Sequence, residues 1–175
     1  MRKYKDEITH AMKRISYNER TIFLGQWFGT TKETLIDVPE EKKMEMPVAE
    51  EMQMGISIGL ALDGFIPVSC FTRWNFLILA ANQLVNHLDK LSEMSNSGYQ
   101  PKVIIRTSVG SKEPVDSRCQ HTSDFTEGFG SMLTNVEVVK LIEPEEVLPA
   151  YLNALYREDV KSTILVEYGS SYNDK

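Results

Sequence analysis

The chain has 175 residues, 42% of them hydrophobic and 25% charged, a composition that is ordinary for a globular protein with one sizeable core. Its net charge is −6 and its pI is near 5.2, which argues against a nucleic-acid-binding surface. No apolar run approaches the roughly 20 residues of a membrane span. The two cysteines, Cys70 and Cys119, lie far apart in a chain without a recognisable signal peptide. We therefore expect one cytoplasmic domain over residues 1–175, with free thiols and no membrane contact.

Hydrophobic periodicity predicts helices and strands in alternation. Apolar residues three to four apart, as at Ile8, Met12 and Ile15, indicate amphipathic helices, and short continuous apolar runs such as T-I-F-L-G indicate buried strands. In chain order the predicted elements are helix 4–18, strand 21–25, a short strand near 42–46, helix 49–62, strand 65–71, helix 74–93, strand 102–109, helix 123–133, strand 136–141, helix 144–156 and strand 162–167.

This alternation predicts the fold class. Strands that are apolar along their whole length are covered on both faces, and strands separated by helices pair in parallel. We therefore predict a doubly wound α/β domain, with a mainly parallel sheet of about six strands and helices on both faces. Ligands in such sheets bind beyond the carboxyl ends of the strands. Glu50, residues 71–76 and the loop 110–122 all follow predicted strands, so we expect them to meet at one edge.

The helix predicted over 49–62 has two unusual features. Gly55 and Gly59 lie one turn apart, and each costs about 1 kcal/mol relative to alanine inside a helix, so their bare face predicts the close approach of another helix or a ligand. Glu50 lies in the first turn of this nearly apolar helix. It is either a charge stabilised by the helix macrodipole or a carboxyl held at a protein–protein interface. Glu51 could fill the first role equally well.

Few other residues suggest chemistry. The chain has neither a glycine-rich dinucleotide fingerprint nor a Walker loop, and its histidines and cysteines are not spaced as metal ligands. His121 lies in a polar loop, where it is either a surface histidine or a site residue. Phe71, Trp74 and Phe76 are either core residues or a ring-stacking platform.

Several segments, in their order and spacing, resemble a known family. They are Y-K-D-E-I-T-H-A-M and T-I-F-L-G, P-V-A-E followed by Gly55, Gly59 and Gly64, W-N-F (74–76), N-Q-L-V-N (82–86), V-I-I-R (103–106), Q-H-T (120–122) and E-V-V (137–139). The chain resembles, nearly end to end, the pyrimidine-binding domain of thiamine diphosphate enzymes of the transketolase type. The resemblance is greatest to the N-terminal half of the beta subunit of 2-oxo acid dehydrogenase decarboxylase components.

The resemblance implies roles for four residues. Glu50 matches the glutamate that hydrogen-bonds the cofactor's aminopyrimidine ring and promotes its imino form, which makes it catalytic and cofactor-binding. Phe76 matches the aromatic residue that stacks on that ring, and Thr72 falls where the family contacts the ring more loosely. His121 matches the histidine that faces the substrate and the reacting centre. No metal ligand is implied in this chain.

The resemblance also implies a partner. A separate diphosphate-binding, alpha-type subunit would hold magnesium and the diphosphate of thiamine diphosphate. We expect this chain to form a hetero-oligomer or a homodimer. The substrate would be a 2-oxo acid or a ketose, and the reaction decarboxylation or two-carbon transfer through a carbanion on the cofactor.

Two departures from the family pattern favour an alternative. Gln26 stands where the family usually has an acid directly after the glycine of the first strand, and the family's C-terminal domain does not follow Lys175. The alternative is a non-catalytic binding or regulatory module. A small flavodoxin-like ligand binder is a further alternative, but it leaves the Glu50 block unexplained.

Overall fold

The computed structural model describes residues 3–26, 32–112, 116 and 118–173 of the chain. Six strands within these residues form one sheet with the order β2-β1-β3-β4-β6-β5, and every neighbouring pair is parallel. The strands are β1 Thr21–Gly25, β2 Lys43–Glu45, β3 Ile66–Cys70, β4 Ile104–Val109, β5 Val136–Leu141 and β6 Ser162–Tyr168. The predicted parallel sheet of about six strands is confirmed.

Helices cover both faces of the sheet, as the sequence predicted. They are α1 Tyr4–Ser16, α2 Glu50–Leu62, α3 Trp74–Leu77, α4 Leu91–Met94, α5 Thr126–Met132 and α6 Pro144–Tyr156. Short 3-10 turns lie at Lys32–Thr34, Glu40–Lys42, Ile78–Ala80, Arg118–Gln120 and Gly169–Asn173. Among the described helices, none is both long enough and apolar enough to cross a membrane.

The core has one layer on each face of the sheet. Ile104 and Leu165 point to the side of α1 and α6, where they pack with Ile8 and Tyr151. Their neighbour Ile105 points to the opposite side, toward α2, α3 and α5. This alternation follows from the two-residue period of a strand, and it explains why the strands are apolar along most of their length.

Residues 74–93, predicted as one long helix, form a helical segment with changing geometry. α3 runs into a 3-10 turn at Ile78–Ala80, a π-helix follows at Gln83–Leu88, and α4 begins at Leu91. The widened turn is closed by the hydrogen bond from Asp89 N to Leu84 O, 3.0 Å. The apolar spacing of the sequence fits each of these helix types, so it could not predict the change.

The side chain that follows the π-helix connects it to β5. Asp89 is completely buried, and its Oδ1 accepts hydrogen bonds from the backbone N–H groups of Thr134, Asn135 and Val136 at 2.9, 2.7 and 3.0 Å. Lys90 Nζ lies 2.8 Å from Asp89 Oδ2. Asp89 therefore fixes the start of β5 against the helical layer.

The strand order determines where a ligand can bind. The chain leaves β1 for β2 on one side and returns to β3 on the other side, so β1 and β3 form a switch point. A crevice opens at the carboxyl ends of strands at such a point. α2 begins at this edge and ends at Leu62, and the φ of +94° at the following Gly64 allows the hydrogen bonds from Gly64 N to Ala61 O and from Phe65 N to Leu60 O.

Candidate active site

A cavity of about 420 Å³ lies at the β1–β3 switch point. It is lined by Gln26 after β1, by the first turn of α2, by residues after β3 and by His121. The four residues singled out in the sequence, Glu50, Thr72, Phe76 and His121, all line this cavity. Its volume lies within the range of about 300–1,000 Å³ that is typical of small-molecule sites.

Glu50 and Glu51 have different surroundings. Glu50 is 5% exposed, and Gln26 Nε2 lies 3.5 Å from its Oε1. Glu51 is exposed and accepts hydrogen bonds from Asn82 Nδ2 and Gln83 Nε2 at 3.2 and 3.4 Å. Both lie in the first turn of α2, where the helix dipole favours a negative charge. Because Glu51 already serves the helix end, the burial of Glu50 in the cavity needs a separate explanation.

Gln53, one turn after Glu50, forms part of the cavity wall and is fully buried. Its Nε2 donates to Ser69 Oγ and Cys70 O, both at 3.1 Å, and is 3.4 Å from Leu24 O. Two of these three acceptors are backbone carbonyls, which cannot donate, so the amide orientation is fixed by its partners. Gln53 thereby connects the start of α2 to the ends of β1 and β3.

The three aromatic residues have separate roles. Trp74 is fully buried and stacks on Phe129, with ring centroids 4.9 Å apart, and Phe71 is 4% exposed. Phe76 is half-buried and stacks on His121, with centroids 5.5 Å apart and an angle of 27° between the rings. Trp74 therefore belongs to the core, whereas Phe76 presents its ring to the cavity.

His121 and Thr72 also lie at the cavity wall. His121 is half-buried, and within the described part of the chain its buried Nδ1 has no hydrogen-bond partner. The side chain of Thr72 is exposed, and its backbone carbonyl accepts a hydrogen bond of 2.7 Å from Ser108 Oγ. The other two histidines, His10 and His87, are exposed and do not line this cavity.

A second cavity, of about 270 Å³, adjoins the first over β4 and β6 and shares Gln26 and residues 70–73 with it. Arg106 and Glu167 form a bidentate ion pair at its floor, with Nε–Oε1 and Nη2–Oε2 distances of 2.6 and 2.9 Å. The hydroxyls of Tyr151 and Tyr172 donate to the same carboxylate. Burial alone would lower the pKa of Arg106, but the charge of Glu167, its hydrogen bond and the nearby Tyr172 and Tyr151 together outweigh burial and raise that pKa well above its ordinary value.

Cys70 lies between the two cavities. Burial raises the pKa of its thiol to about 11, against a smaller opposite influence of Arg106. Burial thus favours the protonated thiol at neutral pH, and Cys70 forms part of the wall of both cavities. Within residues 3–26, 32–112, 116 and 118–173, no group of three or more acidic, histidine or cysteine side chains could hold a metal ion.

Sequence reasoning did not select Gln53, Cys70 or Arg106 as site residues. Gln53 carried one usable signal, because a polar residue three positions after Glu50 on an apolar helix lies on the same face. Cys70 directly precedes the predicted site segment 71–76. Arg106 closes the apolar V-I-I run of a predicted strand, but its partner Glu167 lies 61 residues away and no local pattern connects them.

These features define a class of protein: a doubly wound α/β domain with a small-molecule site that combines a buried acid, an aromatic ring and a histidine. The family model described as "Transketolase, pyrimidine binding domain" matches residues 10–175. The chain therefore belongs to the family of transketolase pyrimidine-binding domains.

Named relatives and a solved structure are similar to the chain. The pyruvate dehydrogenase E1 component subunit beta of Gracilaria tenuistipitata var. liui is 27% identical over 97% of the chain and 54% of its own length. The 2-oxoisovalerate dehydrogenase subunit beta of Bacillus subtilis is 27% identical over 61% of the chain and 35% of its own length. A structure described as a split gene transketolase, inactive beta4 tetramer, has a TM-score of 0.73 at 16% identity and covers 94% of the chain and 51% of its own. The chain thus spans at most about half of these relatives.

Proposed function

We propose that this chain is the pyrimidine-binding subunit of a split thiamine diphosphate-dependent enzyme. A separate, alpha-type diphosphate-binding chain completes its active site, and the reaction is 2-oxo acid decarboxylation or a transketolase-type two-carbon transfer. The observation that carries the proposal is the buried carboxyl of Glu50 in the cavity that Phe76 and His121 also line. Membership of the family and the E1 beta relatives support it.

The residues of the cavity fit an aminopyrimidine ring. A carboxyl at a buried helix N-terminus can share a proton with a ring nitrogen, and the ring of Phe76 offers a face for stacking. When bound, thiamine diphosphate supplies the electron sink for cleavage of the bond next to a carbonyl. Glu50 would hold the proton at the ring nitrogen, Phe76 and Thr72 would orient the ring, and His121 would face the substrate.

Magnesium and the diphosphate belong to the partner in this proposal. The part of the chain that the structure describes offers no cluster of metal-binding side chains. Magnesium in phosphate sites is bound through carboxylates and phosphate oxygens. In this proposal, the partner chain supplies both the carboxylates and the diphosphate site.

The exposed face of α2 is the surface to which we propose that this partner binds. A Cβ atom at Gly59 would meet nothing within 4 Å, and one at Gly55 would meet only Gln83 Oε1 at 4.0 Å. No described residue of this chain therefore requires the two glycines. Met52 and Leu79, 45% and 60% exposed, flank the same face. Because Glu50 also lies at this surface, a partner bound there would reach the candidate site.

Replacement of Glu50 tests the proposal. The variant Glu50→Gln keeps the shape and hydrogen bonding of the side chain but removes its ionisable proton. In the complex with the diphosphate-binding chain, we expect thiamine diphosphate to bind within several-fold of wild type. Hydrogen–deuterium exchange at its thiazolium carbon should slow by roughly 10²–10⁴-fold, the usual contribution of general acid–base catalysis.

Glu51→Gln is the matched control, since this side chain lies in the same helical turn but is exposed. It should leave the exchange rate unchanged. Equal exchange in wild type and Glu50→Gln would contradict the catalytic proposal. It would favour the second candidate, a non-catalytic binding or regulatory module, which Gln26 supports because the side chain beside Glu50 cannot ionise. We propose a cytoplasmic location for the assembly, where free thiols such as those of Cys70 and Cys119 are usual.

A further inference from the structure

Two glycines connect the end of the sheet to His121 by direct backbone contact. A Cβ atom at Gly169, just after β6, would lie 3.0 Å from Val109 O and Ser111 N. A Cβ atom at Gly110, just after β4, would lie 2.2 Å from His121 O and 3.2 Å from His121 C. The backbone of His121 is therefore in direct contact with Gly110. Gly169 in turn contacts Gly110 and the residues on either side of it.

This contact determines where the His121 side chain can lie. Gly110 begins the polar loop 110–122 and His121 lies one residue before its end, and the close approach of Gly110 and His121 joins them at the carboxyl end of β4. From this backbone position the imidazole stacks on Phe76 and lines the 420 Å³ cavity. The contact with Gly110 thus connects the His121 backbone to the carboxyl end of β4.

We propose that Gly110 is a positioning residue that fixes His121 at the candidate active site. The contact between Gly110 and the His121 backbone is a geometric observation. Its effect on catalysis depends on the proposed function. A methyl carbon and a carbonyl oxygen need a separation of roughly 3.3 Å or more. The Cβ atom of alanine at position 110 would lie only 2.2 Å from His121 O. The His121 backbone would have to move by about 1 Å, a displacement that can cost about 10²-fold in rate when it affects a catalytic group.

Proton NMR of the chain without cofactor or partner tests the positioning. The chain has three histidines, so each ring signal can be assigned by single replacement. The His121 ring should show a ring-current shift from Phe76 that disappears in Phe76→Leu. Gly110→Ala should move the His121 signal toward that unstacked position while the signals of His10 and His87 stay in place. An unmoved His121 signal in folded Gly110→Ala would overturn the proposal.

Gly128→Ala is the matched control, because a Cβ atom at Gly128 in α5 meets nothing within 4 Å. It should move none of the three signals. If Gly110→Ala does not fold, Gly169→Ala replaces it, since its closest backbone contacts are 3.0 Å rather than 2.2 Å. It should shift the His121 signal in the same direction by a smaller amount, and no shift would again overturn the proposal.

The complex with the diphosphate-binding chain gives a second readout. Gly110→Ala should lower kcat/KM by about 10- to 100-fold while the Kd of thiamine diphosphate stays within three-fold. A loss of turnover with an unmoved His121 signal would contradict positioning. If the wild-type complex neither binds thiamine diphosphate nor turns over, the proposed function fails, yet the NMR result still decides whether Gly110 positions His121.

Discussion

At the scale of single residues, neighbouring side chains of the same type have different roles. Glu50 and Glu51 differ by one position on α2, and this places one carboxyl in a cavity and the other in solvent with two amide partners. Trp74 and Phe76 differ in the same way, one in the core and one at the cavity. The position of a side chain around its helix, and not its residue type, selects the candidate site.

The role of His121 can be separated from cofactor binding by one replacement. If the imidazole faces the substrate, His121→Ala should lower turnover of the reconstituted complex by roughly 10²–10⁴-fold, the usual size of an acid–base contribution. The Kd of thiamine diphosphate should stay within a few-fold. Parallel measurements of turnover and cofactor affinity check this, with the exposed His87→Ala as the control. Loss of cofactor binding would instead place His121 in the pyrimidine-binding part of the site.

At the scale of elements, one buried carboxylate joins two parts of the chain that are far apart in sequence. Asp89 follows the π-helix and accepts three backbone N–H groups at the start of β5. Burial by itself would raise the pKa of Asp89, but Lys90 and the donors of Thr134 and Asn135 outweigh it and lower that pKa. The ionised carboxylate is therefore the form that stabilises the fold.

Replacement of Asp89 should be costly at neutral pH. Asp89→Asn keeps the shape but removes the charge that strengthens these hydrogen bonds, and we expect a loss of about 2–4 kcal/mol in the free energy of unfolding. Urea unfolding at pH 7 measures it, with the exposed Asp63→Asn as a control that should change little.

The pH dependence has a definite sign. Because the folded-state pKa of Asp89 is lowered, its contribution is complete above the unfolded-state value of about 3.9 and disappears as the pH falls through the lower folded-state pKa. The stability difference between wild type and Asp89→Asn should therefore shrink in acid. A difference that stays constant below the unfolded-state pKa would show that packing, not charge, explains the loss.

At the scale of the whole molecule, the glycine face of α2 is the surface that the proposed assembly would use. Gly55 and Gly59 weaken the helix, and no described residue of the chain approaches Gly59. Gly59→Leu should therefore raise the stability of the isolated chain by up to about 1 kcal/mol through helix propensity. The same side chain should block the approach of the diphosphate-binding partner, or of a second copy of the chain.

Sedimentation and thermal unfolding together check this prediction. The Gly59→Leu chain should unfold at a temperature equal to or above that of wild type but sediment as a smaller species in the presence of the partner. Gly128→Leu on the exposed side of α5 is the control for helix propensity without a proposed interface. A wild-type chain that stays a folded monomer with and without the partner would contradict the proposed interface.

Apolar periodicity was enough to predict the parallel sheet and the segments that meet at its edge. Backbone geometry sets the period of apolar residues, and parallel strands place their carboxyl ends at one edge. The residue pattern alone therefore predicted that Glu50, residues 71–76 and the loop 110–122 meet at one edge of the sheet. Their roles came from the family resemblance and remain proposals.

The contacts that hold these residues in place are visible only in the three-dimensional fold. The ion pair of Arg106 with Glu167, the contact of Asp89 with β5 and the contact of Gly110 with His121 join residues 11 to 61 positions apart. Such contacts depend on strand order, register and the path of each loop, which local periodicity does not contain. The π-helix and the different burial of Glu50 and Glu51 depend in the same way on what packs against them.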